Sequence, residues 1–572
     1  YRIIKLLYSY STGDVNQIIK EKEMERAMPE TIWTSRREKK KKRLECVGGF
    51  SRGKVVPAEK ITEFLQRVIV PGDTVILEGD NQKQASFLSK AMENCDPEQV
   101  HHLHMVIPSV SRPEHLNLFE KGIASLLDFA YAGSQSMRVA QMLQDGILKI
   151  GAIHTYLELY ARLFVDLIPD ICLIAADEAD AEGNLYTGPN TEETPTLAEA
   201  AAFKDGIVIV QVNQIVEKVK RVDIPGDWVD FIVEAPEKYE IKPLFTRDPR
   251  NITELQILMA MMCIKGIYAR HGVQSLNHGI GFNTAAIELL LPTYGEQLGL
   301  KGKICSHWAL NPHPTLIPAI ESGWVKSITA FGCELGMDQY IRSRPDLFAT
   351  GIDGSLRSNR TLAQLAGLYG IDLFIGSTLQ IDQWGNSSTV TNGRLSGFGG
   401  APNMGSNPGG RRHVTKAWKD MASKDDVMVR GRKLVVQIVE TFGTGVTPVF
   451  IDQLDAVEIG KQANLPNPPV MIYGDEVTHV VTEQGIAYLY LTEDREKRKK
   501  ALQAIAGATP FGRGIEQDEI EALRREGIVA YAQDLGIRVT DAKRSLLAAQ
   551  NMEQLVEWSG GLYQPPVQFK SW

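Results

Sequence analysis

The chain lacks any apolar run long enough to cross a bilayer. Its longest candidate, LFVDLIPDICLIAADEAD, is broken by Asp166, Asp170 and Asp177, well short of the roughly 18 uninterrupted apolar residues a span needs, so membrane insertion is excluded. Cysteine is scarce: Cys46, Cys95, Cys172, Cys263, Cys305 and Cys333 are scattered over 572 residues without a Cys-x-x-Cys pair. That spacing excludes a disulfide framework or a zinc finger and fits a reducing compartment, so a cytoplasmic location is expected. Positive charge is not in surplus either. A net charge of −8 rules out the chain as a whole as an electrostatic partner of nucleic acid. The one exception, RREKKKKR from Arg36 to Arg43, reads as a solvated or helical N-terminal segment before it reads as a nucleic-acid arm. No small-residue cleavage site follows the first apolar residues, which argues against a secretory signal. Met28 is a plausible natural start, with residues 1–27 an upstream extension.

What the chain does have is length and an echo. At 572 residues it exceeds a single core. In the first half DTVILEGDNQKQASFLSKAM presents a strand, Gly79, Asn81 and a helix. In the second LNHGIGFNTAAIELL presents a strand, Gly281, Asn283 and a helix, 202 residues on (79 to 281). Asp180, Gly183 and Asn184 of DAEGN recur at the same offset as Asp382, Gly385 and Asn386 of DQWGN. Two separated elements in one register predict duplicated α/β halves with mostly parallel sheets. We place a basic N-terminal segment at 1–50, the halves at 51–247 and 248–495, and a helical, charged appendage at 496–572. Taken alone, D-x-x-G-N is a turn whose side chains bond the backbone.

Two glycine-bearing stretches point to chemistry. NHGIGFNTAAIELL reads as a strand, a tight turn at Gly279 and Gly281, and a helix. It has neither the Lys-Ser/Thr of a phosphate loop nor a third glycine for a dinucleotide. Amides at such a helix start still favour an anion. GRLSGFGGAPNMGSNPGGRRH, Gly393 to His413, is too poor in bulky apolar residues for a core element, and a loop of this length is usually functional or disordered. Its amides near Gly399, Gly400 and Ala401 are candidates for a nest around an oxyanion.

GFGGAPNMG, GSTLQIDQWGNSS, GIGFNTAA and VVTEQGIAYL together resemble the coenzyme A transferase superfamily. LEGDNQKQASFL, GNLYTGPNTEETP, RVDIPGDWVDF and LFTRDP extend the resemblance, from about Trp33 to the C-terminus, to the α-subunit family of malonate decarboxylase. The resemblance implies two similar coenzyme A transferase-like α/β domains and a transferase that exchanges acetate for malonate on an acyl carrier protein thioester. It also implies a cytoplasmic multisubunit complex with carrier and decarboxylase subunits as partners, malonate and acetate as small ligands, and no nucleic acid. No cofactor would be bound directly; the reacting thiol would belong to the coenzyme A-derived, phosphopantetheine-type group of the carrier. Many coenzyme A transferases use a glutamate nucleophile. Where the resemblance would place it, this chain reads His307, Trp308, Ala309 and Leu310, which favours direct exchange, with Glu321 and Glu334 as fallback nucleophiles.

Thioester exchange needs proximity and oxyanion donors more than acids and bases. The expected donors are therefore Gly279, Gly281, Gly399, Gly400 and Ala401. Asn81, Gln82, Asn283, Asn403 and Arg394 are expected to contact substrate, and Arg360 to meet the second malonate carboxylate. His313 reads as a cleft residue or a structural turn. No metal site is expected, His102 and His104 of HHLH lacking acidic or cysteine neighbours. The alternatives are a citrate lyase α-type subunit, a free coenzyme A transferase or acyl-coenzyme A hydrolase, and, in another class, a sugar-phosphate-sensing nucleic-acid-binding regulator.

Overall fold

Two large, mostly parallel sheets organise the chain in a computed structural model that describes residues 31–80, 82–239, 241–412, 415–421 and 431–570. The first sheet contains β1 (Thr74–Leu77), β2 (Leu103–Ser109), β3 (Ala124–Tyr131), β4 (Lys149–Ile153), β5 (Ile171–Ala179), β6 (Leu185–Tyr186), β7 (Ile207–Ile215) and β8 (Phe231–Glu234). Its order is β4-β3-β2-β1-β5-β7-β8, parallel throughout, with β6 antiparallel on β5. The second begins with β9 (Ser275–His278), β10 (His307–Leu310), β11 (Ser327–Ala330) and β12 (Leu373–Gly376). Two small hairpins follow, β13 (Gln380–Ile381) with β14 (Ser387–Ser388) and β15 (Val390–Thr391) with β16 (Arg394–Leu395). Then come β17 (Leu434–Ile438), β18 (His479–Val481), β19 (Ile486–Tyr488) and β20 (Val529–Ala530). The order is β11-β10-β9-β12-β17-β18-β19-β20, antiparallel only at the last two pairings.

The strands are short and apolar because both faces are covered. In β1, Val75 and Leu77 enter one core and Ile76 the opposite one; in β12, Leu373 and Ile375 face one core and Phe374 the other. The covering helices start where the sequence supplies caps: Thr155 and Glu158 form a capping box at Tyr156–Val165, and Thr253 with Gln256 another at Glu254–Cys263. The segment after residue 495 supplies helices Arg495–Ile505 and Gln517–Arg525 and also strand β20, which closes the edge of the second sheet.

The two sheets repeat one topology, with β1, β2, β3, β5, β7 and β8 matched by β9, β10, β11, β12, β17 and β18. The D-x-x-G-N turns repeat down to single bonds. Asn184 N–H and Nδ2 donate to Asp180 at 2.9 and 3.0 Å, and Asn386 N–H and Nδ2 to Asp382 at 2.9 and 2.9 Å. In each, the asparagine Oδ1 accepts from a glycine amide, Gly226 at 3.0 Å and Gly474 at 2.8 Å. These polar groups are spent inside the turn, so the repeated motif is structural.

The basic segment is a helix, Ile32–Val47, laid across the N-terminal ends of the first sheet. Arg43 pairs bidentately with buried Asp73 at 2.7 Å; Arg36 reaches Asp170 at 3.0 Å and Lys40 reaches Asp230 at 2.9 Å. One face of the cationic run is thereby neutralised by the protein's own carboxylates. Among the described residues no helix is long and apolar enough to cross a membrane, and none of the six cysteines is paired.

Candidate functional site

In each sheet the strand order reverses beside the first strand of the lobe, between β1 and β5 and between β9 and β12. Parallel sheets leave a crevice at the carboxyl ends of the strands at such points. The two lobes use theirs differently. After β1 the turn is filled by its own side chains: Lys83 is buried and donates to the carbonyls of Thr187 and Asn190 at 2.9 Å, above the buried carboxyl of Glu78. After β9, the Gly279-Ile280-Gly281 turn is left open. It borders a cleft open to solvent at its mouth, about 1060 Å³ with that open space counted, that Gly376 at the end of β12 and the following Ser377 also line. Past Gly279 the cleft continues into a smaller recess bounded by Arg247, Gly281, Asn311 and His313.

The opposite wall is the glycine segment, which is docked and not free. Phe398 and Gly399 donate to Ala130 O at the end of β3 at 2.7 and 2.9 Å, Ala132 donates to Ser396 O at 2.9 Å, and Tyr156 to Gly399 O at 3.1 Å. Gly397 and Gly399 have φ of +70° and +57°, and a Cβ on Gly397 would overlap Ala130 O. Glycine is required here because two backbones touch.

Of the residues expected at the site, Gly279, Gly399, Gly400, Ala401 and Arg360 line the cleft and Gly281 its recess. The donor assignment narrows. Gly279 N–H is taken by Ile375 O at 2.7 Å and Gly399 N–H by Ala130 O at 2.9 Å, because both residues extend sheet-like ladders, and Ala401 N–H closes a turn on Phe398 O at 3.3 Å. Gly281 and Gly400 are the two of the five whose amides donate to no acceptor among the described residues. Arg360, first residue of helix Arg360–Tyr369, lies over the Tyr156 ring at 4.7 Å and is already held by Asp80 at 3.1 Å, by Glu193 at 2.7 Å and by Glu192.

Four of the polar residues expected to contact substrate, Gln82, Asn283, Asn403 and Arg394, are engaged elsewhere. Gln82 is buried and donates to Glu334. Asn403 donates to Thr155 Oγ1 at 3.1 Å and accepts from Leu157 N–H at 3.3 Å, fastening the glycine segment to the first lobe. Asn283 Nδ2 reaches Ile438 O at 3.4 Å, and Arg394 Nε reaches Ser136 at 3.2 Å. Asn81 lies outside the described residues. Neither fallback glutamate lines the cleft. Glu334 accepts from Gln82, Leu244, and both the amide and hydroxyl of Thr246, while Glu321 binds Tyr340 and Arg344 at 2.6 Å. His102 precedes β2 at φ +58° with its ring against that of His101, while His104 binds Asp128 at 2.6 Å. Among the described residues no group of three His, Cys, Asp or Glu is arranged to hold a metal ion.

Two features went unread in the sequence, one just behind the recess and one in its wall. Glu288 accepts from or pairs with His278 Nδ1 at 2.9 Å, His313 Nε2 at 2.9 Å and Thr315 Oγ1 at 2.6 Å. Burial alone would raise the Glu288 carboxyl, but His313 and His278 hold it below its usual range. Burial works against charge on His313, yet Glu288 raises it; His278, whose burial dominates, is lowered. The available signal was a lone acid in the apolar run AAIELLL. The second feature, Arg247, lies in the connection between lobes, where no periodicity marks it.

This architecture has solved and curated counterparts. Residues 32–572 match a family model described as malonate decarboxylase, alpha subunit, transporter. An acetyl-S-ACP:malonate ACP transferase of Malonomonas rubra is 56% identical over 530 residues, covering 91% of this chain and 96% of that protein. In a crystal structure of a Pseudomonas malonate decarboxylase hetero-tetramer in complex with malonate, one chain is 62% identical, with a TM-score of 0.93 over 95% of this chain and 100% of that one. An acyl-CoA transferase of Escherichia coli O157:H7 shares the fold alone, at 16% identity and a TM-score of 0.51 over 77% of this chain and 88% of that one.

Proposed function

The chain belongs to the malonate decarboxylase α-subunit family, and from that premise we propose that it transfers an acyl carrier protein from acetate to malonate by direct exchange in the cleft between its lobes. The observation that carries the reading is the pairing of an acetyl-S-ACP:malonate ACP transferase relative, 56% identical over 91% of the chain, with a cleft lined by Gly400 and a recess lined by Gly281, two residues whose amides have no acceptor among the described residues.

A malonate carboxylate oxygen attacks the acetyl thioester carbonyl, forming a C–O bond and a tetrahedral oxyanion. The C–S bond then breaks, releasing the carrier thiolate and leaving an acetyl-malonyl anhydride. The thiolate attacks the malonyl carbonyl of that anhydride, and acetate departs with the electron pair of the broken C–O bond. No net proton is moved. In this route the N–H groups of Gly281 and Gly400 steady the oxyanions; a single such donor is worth roughly 3 kcal/mol in a well-formed hole. Among the described residues Asp80 is the one carboxylate lining the cleft, which supports direct exchange. It is engaged by Arg360, Ser109 and the amide of Gln82. The reacting thiol is that of the carrier's coenzyme A-derived arm, and the protein works as a cytoplasmic subunit beside carrier and decarboxylase subunits.

Incubation with acetylated carrier and isotope-labelled malonate, followed by intact-mass analysis of carrier and enzyme, tests this. The expected product is labelled malonyl carrier with unmodified enzyme. Exchange with citrate or free coenzyme A alone would overturn the substrate assignment. A thioester adduct on the enzyme would overturn the direct route.

A further inference from the structure

Malonate differs from acetate by a second carboxylate, and an enzyme that replaces one acid by the other must recognise the group that does not react. Two arginines border the cleft and its recess. Arg360 has three carboxylates of its own. Arg247 has none: among the described residues no acidic oxygen lies within ion-pair distance of it, and its hydrogen bonds leave from one nitrogen only. Nη1 donates to the carbonyls of Leu244 and Thr246, both at 2.9 Å. The remaining guanidinium donors are uncommitted.

Its position is fixed all the same. The guanidinium carbon stands 5.7 Å from the centre of the Phe282 ring, the residue directly after Gly281, and Arg247 lines the recess together with Gly279, Gly281 and Asn311. Burial pulls the Arg247 guanidinium below its ordinary value, against the opposing pull of Glu334, which stands beyond ion-pair distance. A half-buried cation held in place without a counter-ion is costly unless an anion arrives to complete it. A guanidinium with two adjacent free N–H donors matches a carboxylate in geometry as well as charge.

We propose that Arg247 binds the non-reacting carboxylate of the dicarboxylic acid, aims the other carboxylate at the thioester beside Gly281, and so makes the site select malonate over monocarboxylates as the incoming acid. This rests on the transferase reading above, and the test separates the two. Exchange of labelled acetate into acetyl carrier uses the same bond-making steps but has no second carboxylate to hold. Arg247→Gln and Arg247→Lys are assayed for acetate exchange and for malonate exchange, with thermal melting alongside. For Arg247→Gln, malonate kcat/KM is expected to fall roughly 10- to 100-fold, mostly through KM, the loss expected for a charge-assisted hydrogen-bonded contact, while acetate exchange stays within a few-fold. Arg247→Lys is expected to recover part of the malonate activity because it restores charge without the fork. Equal loss of both exchanges, or unchanged malonate KM in a folded variant, would overturn the assignment. A wild-type protein that performs neither exchange would remove the transferase reading and this assignment with it.

Discussion

Replacing Arg360 by Met should loosen the contact between the lobes in a pH-dependent way. Arg360, from the second lobe, is surrounded by Asp80, Glu192 and Glu193 of the first, all of them buried. Burial pushes the Glu192 carboxyl from an ordinary 4.5 up to about 7 and Glu193 up to about 8, even with Arg360 pulling both down. The folded protein thus holds more protons than the unfolded chain between these values. Any stability these two groups retain is greatest below pH 4.5 and is lost as pH rises through the window to 7 or 8. For Glu192 alone the loss is on the order of 3 kcal/mol. Without the guanidinium the burial of the carboxylates loses its largest offset, Lys83 remaining to act on Glu192, and removing the partner of a buried ion pair costs about 3–5 kcal/mol. Urea unfolding of wild type and Arg360→Met at about pH 5 and about pH 8.5 measures this. The variant should lose more of its stability at the higher pH, and most of the deficit should vanish at the lower one, where protonation neutralises Glu192 and Glu193. An equal deficit at both pH values, or none, would refute the claim that three carboxylates share this one cation.

The duplicated turns predict duplicated effects. A Cβ on Gly226 would overlap Glu182 O, and one on Gly474 would overlap Trp384 O, the equivalent carbonyl of the other lobe; each Gly→Ala change should cost about 1–3 kcal/mol in thermal melts while leaving malonate KM unchanged. Along the basic helix, Arg43→Ala should destabilise by about 3–5 kcal/mol, because it strands buried Asp73. Lys41→Ala, on the exposed side, should stay within about 0.5 kcal/mol in the same assay. A deficit as large as that of Arg43→Ala would show that the outward face also pairs.

The fold was largely legible because apolar strand runs and turn glycines are local. The run DTVIL before Gly79 announces a strand, and the 202-residue echo of Gly79 in Gly281 and of Asp180 in Asp382 carries the two-lobed plan. The glycine segment was legible as special, but its partner was not: that Gly397 and Gly399 exist to let Ala130 O approach is a fact about residues more than 250 positions away. The same distance problem hid the fate of individual donors. Sequence marks an amide as exposed by glycine, yet whether Gly279 N–H is free or spent depends on Ile375, a strand that returns nearly a hundred residues later. By itself, then, the sequence determined the lobes, their parallel sheets, the turns and the family. Only the tertiary structure decided which equivalent turn stays open, which arginine is already neutralised and which lacks a partner, because electrostatic pairing and backbone donation are settled between segments that folding alone brings together.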